Sequence, residues 1–413
     1  MPGAPPTAGP APASAPLPAA PDEWLAPAYS LPALIEMARA NSPSLAASQA
    51  RIPGAEAGIV TARALPNPEV EALLGRQSPS AAGTSAGATG LVGLTLPFDR
   101  PSLRRARQEA AFGDLDATRA GVASFERNLV AEVKLRYLDV LRLQAAARLA
   151  EQDLSIAEQI RTRVGVRVGT GESPRFELIR ADAERLNAQR ALQGAALRID
   201  VARAELRRLV GPVLPAEFAV AGNIEDVSEP PAALETIRAE MLERHPELRT
   251  ARAELRAAES RVELERERAR PSFALRASVD RLPEATDSRL GIVVRVPVFD
   301  RREGPIAEAR AEAERARFAL ADRELQLRQS LDAAWQRYRI AQGQVAAFES
   351  GILREAEAAL RVAEAAYRFG ERGILDFLDA QRTLRTVRAD LNASRFELRT
   401  ALVELERLRA ESE

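Results

Sequence analysis

The chain contains one pattern twice, and this duplication restricts the possible folds more than any other feature. The matches run through apolar segments and turns at a spacing of 201 residues: Asp99 and Asp300, Arg100 and Arg301, Gly169 and Gly370, Phe176 and Phe377. A period of this length is too long for a stacked solenoid, whose repeats are about 20–50 residues long. The sequence therefore predicts two copies of one large supersecondary unit.

Composition excludes several functional classes. The 413 residues include 58 basic and 59 acidic side chains, a net charge of −1, so no basic field is available to hold nucleic acid. The absence of cysteine excludes disulfides, thiolate metal sites and a cysteine nucleophile. His245 is the only histidine, so a His/Cys metal cluster is excluded as well. We expect no enzymatic activity, no cofactor and no metal site.

Proline spacing indicates where long helices can form. Seventeen of the 27 prolines lie at or before Pro101, and the sequence has none between Pro101 and Pro174 or after Pro305. Because proline breaks helix interiors, these gaps permit helices of about 67 residues, or roughly 100 Å. Within them, one apolar series repeats every seven residues, as in a coiled coil: Phe377, Leu384, Leu391, Leu398 and Leu405.

Between the predicted helices lie two hairpins with strand periodicity. Apolar and mostly polar residues alternate through 272–280 and 289–296, and more weakly through 69–75 and 90–96. Four strands cannot close a hollow barrel, so the apolar face needs lipid and further chains, and Arg276 and Arg295 would then face a wet lumen. The alternative is a soluble α+β protein in which both hairpins pack on the helices.

The ordered set of motifs resembles the outer-membrane efflux protein family, the TolC-like channels. Helix, hairpin, very long helix, glycine turn and long helix occur twice, and together the likeness covers about residues 30–410. Pro66-Asn67-Pro68-Glu69 precedes the first strand, and Leu96-Pro97-Phe98-Asp99-Arg100 and Val298-Phe299-Asp300-Arg301 follow the two hairpins. At the second tip, the matching motifs are Tyr367-Arg368-Phe369-Gly370 and Ile374-Leu375-Asp376-Phe377. A weaker likeness concerns the branch that exports heavy-metal cations.

The resemblance implies a mainly α-helical fold with a small β-barrel part. In the family, a homotrimer in the Gram-negative outer membrane forms a 12-stranded barrel, four strands from each chain, continuous with a periplasmic helical tunnel. The predicted domains are a Pro/Ala-rich, disordered extension at 1–29, repeat 1 at 30–211 (hairpin 66–97, helices 102–168 and 174–210), a linker at 212–231, and repeat 2 at 232–413 (hairpin 271–297, helices 302–369 and 374–410). The sequence shows no signal peptide pattern at its start.

The function that the resemblance implies is a passive exit duct in a tripartite pump. The partners would be a periplasmic adaptor, an inner-membrane transporter and outer-membrane lipid, and the cargo a small molecule or a metal cation. By the same likeness, each site residue has a role: Asp376 and Asp379 as the pore constriction, Tyr367 and Arg372 as the links that hold the entrance closed, and Gly169, Gly171, Gly370 and Gly373 as the adaptor-docking tips. For each, a structural role remains open, since Asp376 could cap a helix and a glycine could simply end one. The alternative function is a soluble or periplasmic coiled-coil scaffold or adaptor.

Overall fold

The computed structural model describes residues 27–78, 85–226 and 230–409, and within them the chain is mainly α-helical with a few strands. The first half contains β1 (Ala28–Tyr29), α1 (Leu31–Asn41), α2 (Pro43–Gln49), α3 (Arg51–Arg63), β2 (Glu69–Gln77), β3 (Gly87–Phe98), α4 (Pro101–Gly169) and α5 (Arg175–Val210). The second half contains β4 (Ala219–Val220), α6 (Leu234–Arg244), α7 (Pro246–Arg268), β5 (Ser272–Arg281), β6 (Thr286–Arg295), α8 (Glu303–Ala347), α9 (Leu353–Arg368) and α10 (Ile374–Arg409).

The long helices occupy the proline-free stretches. Helix α4 has 69 residues, about 100 Å at 1.5 Å per residue, and starts with Pro101 at a position where a missing N–H costs nothing. Helices α8 and α9 form one continuous rod through a π turn at Phe348–Ile352. The sequence predicts an uninterrupted helix there, and the turn contains Ser350 and Gly351, two weak helix formers. None of the described helices has an apolar stretch long enough to cross a membrane.

Midway along the helices, short strands pack with the helices around a hydrophobic core. Strands β1 and β4 pair in parallel, and Tyr29 contacts Phe218 edge to face at 6.2 Å between ring centroids. Phe218 is fully buried in a core with α1 and α4. Residues 28 and 29, predicted to belong to a disordered extension, are therefore structured, and residues 212–226, predicted to be a linker, contribute core side chains. The rest of the predicted extension, residues 1–26, lies outside the described residues.

The second sheet consists of four antiparallel strands in the order β2-β3-β5-β6. Pairing of β3 with β5, from Phe98 opposite Phe273 to Gly90 opposite Arg281, joins the two hairpins. Directly opposed residues share a face, so the registers define one apolar face: Val70, Ala72, Leu74, Val92, Leu94, Leu96, Phe98, Phe273, Leu275, Ala277, Val279, Leu290, Ile292 and Val294. Much of this face is exposed, and Leu74 reaches 94%.

Carboxylates at the end of α7 attach the helices to the sheet. Glu267, which is buried, pairs with Arg100 at 3.2 Å and accepts a hydrogen bond from Ser102 Oγ at 2.6 Å. Glu265 pairs with Arg302 at 2.6 Å. Since Arg100 and Arg302 each follow one hairpin, both hairpin exits are fixed to the same helix end.

Candidate functional site

The two tips at which the long helices reverse end in the same hydrogen-bonded motif. Gly171 (φ +80°) and Gly370 (φ +75°) adopt the left-handed conformation. Glu172 N donates to Arg167 O at 2.8 Å, and Glu371 N donates to Ala366 O at 2.9 Å. In both tips the residue after the glycine thus bonds to the carbonyl five residues earlier, which is the 6→1 hydrogen bond of a Schellman motif. Glycine is favoured at both positions because a Cβ is strained at positive φ.

The structure corrects the predicted match between the tips. The sequence spacing equates Gly169 with Gly370, whereas the helix stop that corresponds to Gly370 is Gly171. Helix α4 continues for two residues beyond the end that the 201-residue spacing predicts from α9, so Gly169 is still the last residue of α4. Gly373 lies immediately before α10 and is not in the left-handed region.

Behind the tips, an apolar cluster packs α4 and α5 against α9 and α10. Its buried members are Ile160, Val164, Ala181, Tyr367, Ile374 and Phe377. The rings of Tyr367 and Phe377 are stacked, with centroids 6.0 Å apart and planes 5° apart. This cluster fixes the first turn of α10, which carries the predicted pore residues.

Tyr367 is buried and its hydroxyl oxygen has no hydrogen-bond partner in the described parts of the chain. The Arg167 guanidinium lies 5.0 Å from the Tyr367 ring centroid, a cation–π geometry. Burial raises the pKa of the Tyr367 hydroxyl above 10, the Glu177 carboxylate raises it further, and Arg167 opposes both. Tyr367 is therefore a neutral, buried group that links α9 to the end of α4.

The two predicted gate-linking residues are not in contact with each other. Arg372 Nη1 lies 3.4 Å from Asp376 Oδ2, one helical turn away, and both side chains are at least half exposed. Tyr367 instead contacts Phe377 and Arg167. Asp379 is exposed and lies three residues after Asp376, so both carboxylates project from one side of α10.

Two ion pairs between the helix pairs were not predicted from the sequence. Arg163 on α4 binds Glu364 on α9 at 3.0 Å, and Arg385 on α10 binds Glu184 on α5 at 3.3 Å. In each pair the partners are 201 residues apart. Oppositely charged residues at the repeat spacing could therefore have predicted these ion pairs, because they occupy matching positions of the two sequence copies.

On the mostly polar face of the sheet, arginines are paired with carboxylates. Arg276 Nη2 lies 2.6 Å from Glu71 Oε2, and Arg289 lies 2.9 Å from Asp280. Arg295 is opposite Ser272 on the same face, at the end near the helices. The two predicted lumen residues, Arg276 and Arg295, therefore share the face opposite the apolar one.

The described residues 27–78, 85–226 and 230–409 contain no group of three or more His, Cys, Asp or Glu side chains arranged for a metal. His245 is buried at the N-cap of α7, where its Nδ1 accepts a hydrogen bond from Glu247 N at 3.3 Å. Burial, together with Arg407, Arg127 and Arg323, lowers the pKa of His245 to about 4. The imidazole is therefore a neutral helix cap.

Comparison with known proteins gives one consistent result. The family model described as "Outer membrane efflux protein" matches residues 34–212 and 237–410. The cobalt-zinc-cadmium resistance protein CzcC of Cupriavidus metallidurans is 27% identical, over 86% of this chain and 83% of that protein. The pyoverdine export outer membrane protein OpmQ of Pseudomonas putida is 28% identical, over 92% of this chain and 86% of that protein. A membrane protein of Pseudomonas aeruginosa has a similar fold, with a TM-score of 0.81 and 21% identity over 94% of this chain and 92% of that one.

Proposed function

This chain belongs to the outer membrane efflux protein family, and on that premise we propose that it is one subunit of a passive, trimeric exit duct that crosses the periplasm and the outer membrane. The duct would receive its cargo from an inner-membrane transporter through a periplasmic adaptor. The chain does no chemistry of its own, since family members are channels and not enzymes. The two halves, each matched by the family model, would be duplicated copies of one unit.

The observation that carries the proposal is the exposed apolar face of the four-stranded sheet. Leu74, Leu290 and Ile292 are each more than 70% exposed in a single chain, an arrangement that lipid contact would stabilise. In the described sheet, β2 and β6 are edges that lack a second neighbour. Three chains that pair β6 of one with β2 of the next would supply 12 strands and leave no edge.

The helical part offers a matching surface for neighbouring copies. Exposed apolar residues also lie along α5 and along α8 and α9: Ile179, Leu186, Leu197, Val201, Phe318, Leu325, Ile340 and Val362. Association through these helices would remove them from water and close a tunnel. The polar face of the sheet, with Arg276 and Arg295, would then line the barrel lumen.

Within this trimer, we place the pore constriction at Asp376 and Asp379. Threefold symmetry converts each exposed carboxylate into a ring of three, which attracts cations and narrows the entrance. Tyr367 and Arg372 would help to hold the entrance closed at the contacts between neighbouring copies: Tyr367 would position the first turn of α10 through its packing on Phe377, and the exposed Arg372 would lie at the surface that faces the next copy. The tips around Gly171 and Gly370, with Gly169 and Gly373 beside them, would contact the adaptor.

The cargo follows from the partners and not from a site in this chain. The two relatives named above carry names that refer to metal resistance and to pyoverdine export, two chemically different cargoes. We propose that the duct accepts what its transporter delivers, either a metal cation or another small molecule.

Expression behind a secretory signal, followed by planar-bilayer recording, tests the proposal. We expect a heat-modifiable trimer in the outer-membrane fraction and a cation-selective conductance. Asp376→Asn with Asp379→Asn should lower the cation selectivity and raise the conductance, whereas Asp390→Asn, at an exposed position further along α10, should change neither. A monomer that stays soluble without detergent and does not conduct would contradict the channel and favour the scaffold.

A further inference from the structure

The apolar face of the sheet ends in two arginines. Arg76 follows Val70, Ala72 and Leu74 at alternate positions of β2, so it projects from the same face. Arg281 ends the corresponding series on β5, which begins at Phe273. Both arginines lie at the hairpin-tip end of the sheet, the end that is farther from the helices.

These two arginines differ from the arginines on the opposite face in whether a carboxylate lies beside them. There, Arg276 pairs with Glu71, and Arg289 pairs with Asp280. In the described parts of the chain, neither Arg76 nor Arg281 has a carboxylate partner, and both are exposed. An unpaired guanidinium at the border of an apolar, lipid-facing surface is stabilised when it reaches an anion at the headgroup level.

The distance along the strand places both arginines at that level. Eight positions along β5 lead from Phe273 to Arg281, which at about 3.3 Å per residue gives roughly 26 Å along the strand, or about 20 Å along the membrane normal for a strand tilted by about 40°. The apolar band of an outer-membrane barrel is about 25 Å tall. With the Phe98–Phe273 pair at one border of the hydrocarbon layer, the Arg281 backbone lies about 5 Å inside the other border, and its long side chain extends to the headgroup level.

The register brings the two arginines close together. Arg76 is opposite Ala88 and Arg281 is opposite Gly90, two residues apart on the strand between them. Their Cα atoms are therefore about 12 Å apart, from a strand spacing near 4.8 Å, and both long side chains can reach one headgroup.

Contacts between the hairpin tips hold this arrangement in place. A Cβ at Gly87 would lie 2.8 Å from Pro283 Cγ, so the absence of a side chain at Gly87 permits close packing of the two tips. In addition, Ser85 N donates a hydrogen bond to the Glu284 carboxylate. The strand ends that carry Arg76 and Arg281 are thus fixed relative to each other.

We propose that Arg76 and Arg281 bind the phosphate of an anionic lipid headgroup, in the leaflet that faces away from the helices. Arginine suits this ligand because its planar guanidinium binds phosphate oxygens in a bidentate manner. The inference rests on the proposed function, since it requires that the apolar face lies in a bilayer.

The test measures lipid binding by the trimer in nanodiscs of phosphatidylcholine that contain a titrated fraction of phosphatidylglycerol, with native mass spectrometry as readout. For Arg76→Gln with Arg281→Gln, we expect affinity for phosphatidylglycerol to fall about 30-fold, from about 1 kcal/mol per surface arginine. Arg289→Gln, at the same end but on the opposite face, should retain the binding of the unaltered protein. Millimolar inorganic phosphate should not displace the lipid.

Unchanged binding in the double variant would overturn the inference, as would displacement of the lipid by inorganic phosphate. Single-channel conductance of the same samples separates this failure from failure of the channel. If the unaltered protein conducts but shows no preference for phosphatidylglycerol, only the lipid site is wrong. If it neither forms a trimer nor conducts, the proposed function falls as well, and the lipid site with it.

Discussion

Protonation of His245 should destabilise the folded protein. Its side chain is 2% exposed, and its Nδ1 accepts a hydrogen bond from Glu247 N, so the cap functions only while this nitrogen is unprotonated. Three arginines face the same imidazole: Arg407 from α10, Arg127 from α4 and Arg323 from α8. Only Glu404 acts in the opposite direction.

The direction of the pH effect follows from the two pKa values. In the folded protein the pKa of His245 is about 4, against 6.5 for the ordinary group that the unfolded chain exposes. Below pH 6.5 the unfolded chain therefore binds a proton that the folded one excludes, and the free energy of unfolding falls. At 1.36 kcal/mol per pKa unit, the loss is about 2 kcal/mol at pH 5 and about 3 kcal/mol at pH 4.

The assay is urea unfolding of the purified protein in detergent, followed by circular dichroism at 222 nm between pH 7.5 and pH 4. Many carboxylates titrate in this range, so the informative quantity is the difference from His245→Asn. Asparagine is a good N-cap that does not ionise. The unaltered protein should lose about 3 kcal/mol more than this variant. Parallel pH profiles for the two proteins would contradict this prediction, because they would mean that His245 accepts its proton in the folded state at no cost.

Two further perturbations test the tips and the junction. Gly171→Ala should lower the free energy of unfolding by about 1–2 kcal/mol, since alanine is strained at φ +80°. The control Gly169→Ala, within α4, should be neutral or slightly stabilising. The urea midpoints of the two variants measure the difference, and equal effects would contradict Gly171 as the residue that ends the helix. Glu267→Ala should cost about 1–3 kcal/mol because it removes the charged hydrogen bonds to Arg100 and Ser102, whereas Glu263→Ala, at a half-exposed position of the same helix, should cost less than about 1 kcal/mol. A small loss for Glu267→Ala would show that the junction does not depend on this carboxylate.

Much of the fold could be predicted from the sequence, because its signals are local. The proline-free stretch after Pro101 permits a long helix, and α4 fills it. Alternation in β5 and β6 assigned Phe273 and Arg276 to opposite faces, and the strand registers agree with that assignment. The efflux family was recognised from the ordered set of motifs, and the family model confirms it.

The remaining features depend on interactions between distant segments. The pairing of β1 with β4 joins residues about 190 positions apart, and a segment rich in Pro and Ala gives no local sign of it. The glycine that ends α4 could not be chosen between Gly169 and Gly171, because the choice depends on how far the helix continues. For the site residues, the structure gives the surroundings of Tyr367 and the Arg372–Asp376 pair, but their roles concern contacts between copies and stay predictions.

If three chains close one barrel, cysteines placed on the strand edges of neighbouring chains should form disulfide cross-links. The chain has no cysteine, so only introduced pairs can react. Ile292→Cys on β6 would be combined in turn with Val70→Cys, Ala72→Cys and Leu74→Cys on β2, all on the apolar face, and Leu73→Cys on the opposite face serves as control. The account predicts that at least one pair on the apolar face gives disulfide-linked dimers and trimers, with nothing larger, and that the control gives none. A ladder that continues beyond three chains, or no cross-link with any of the three pairs, would contradict a closed trimer.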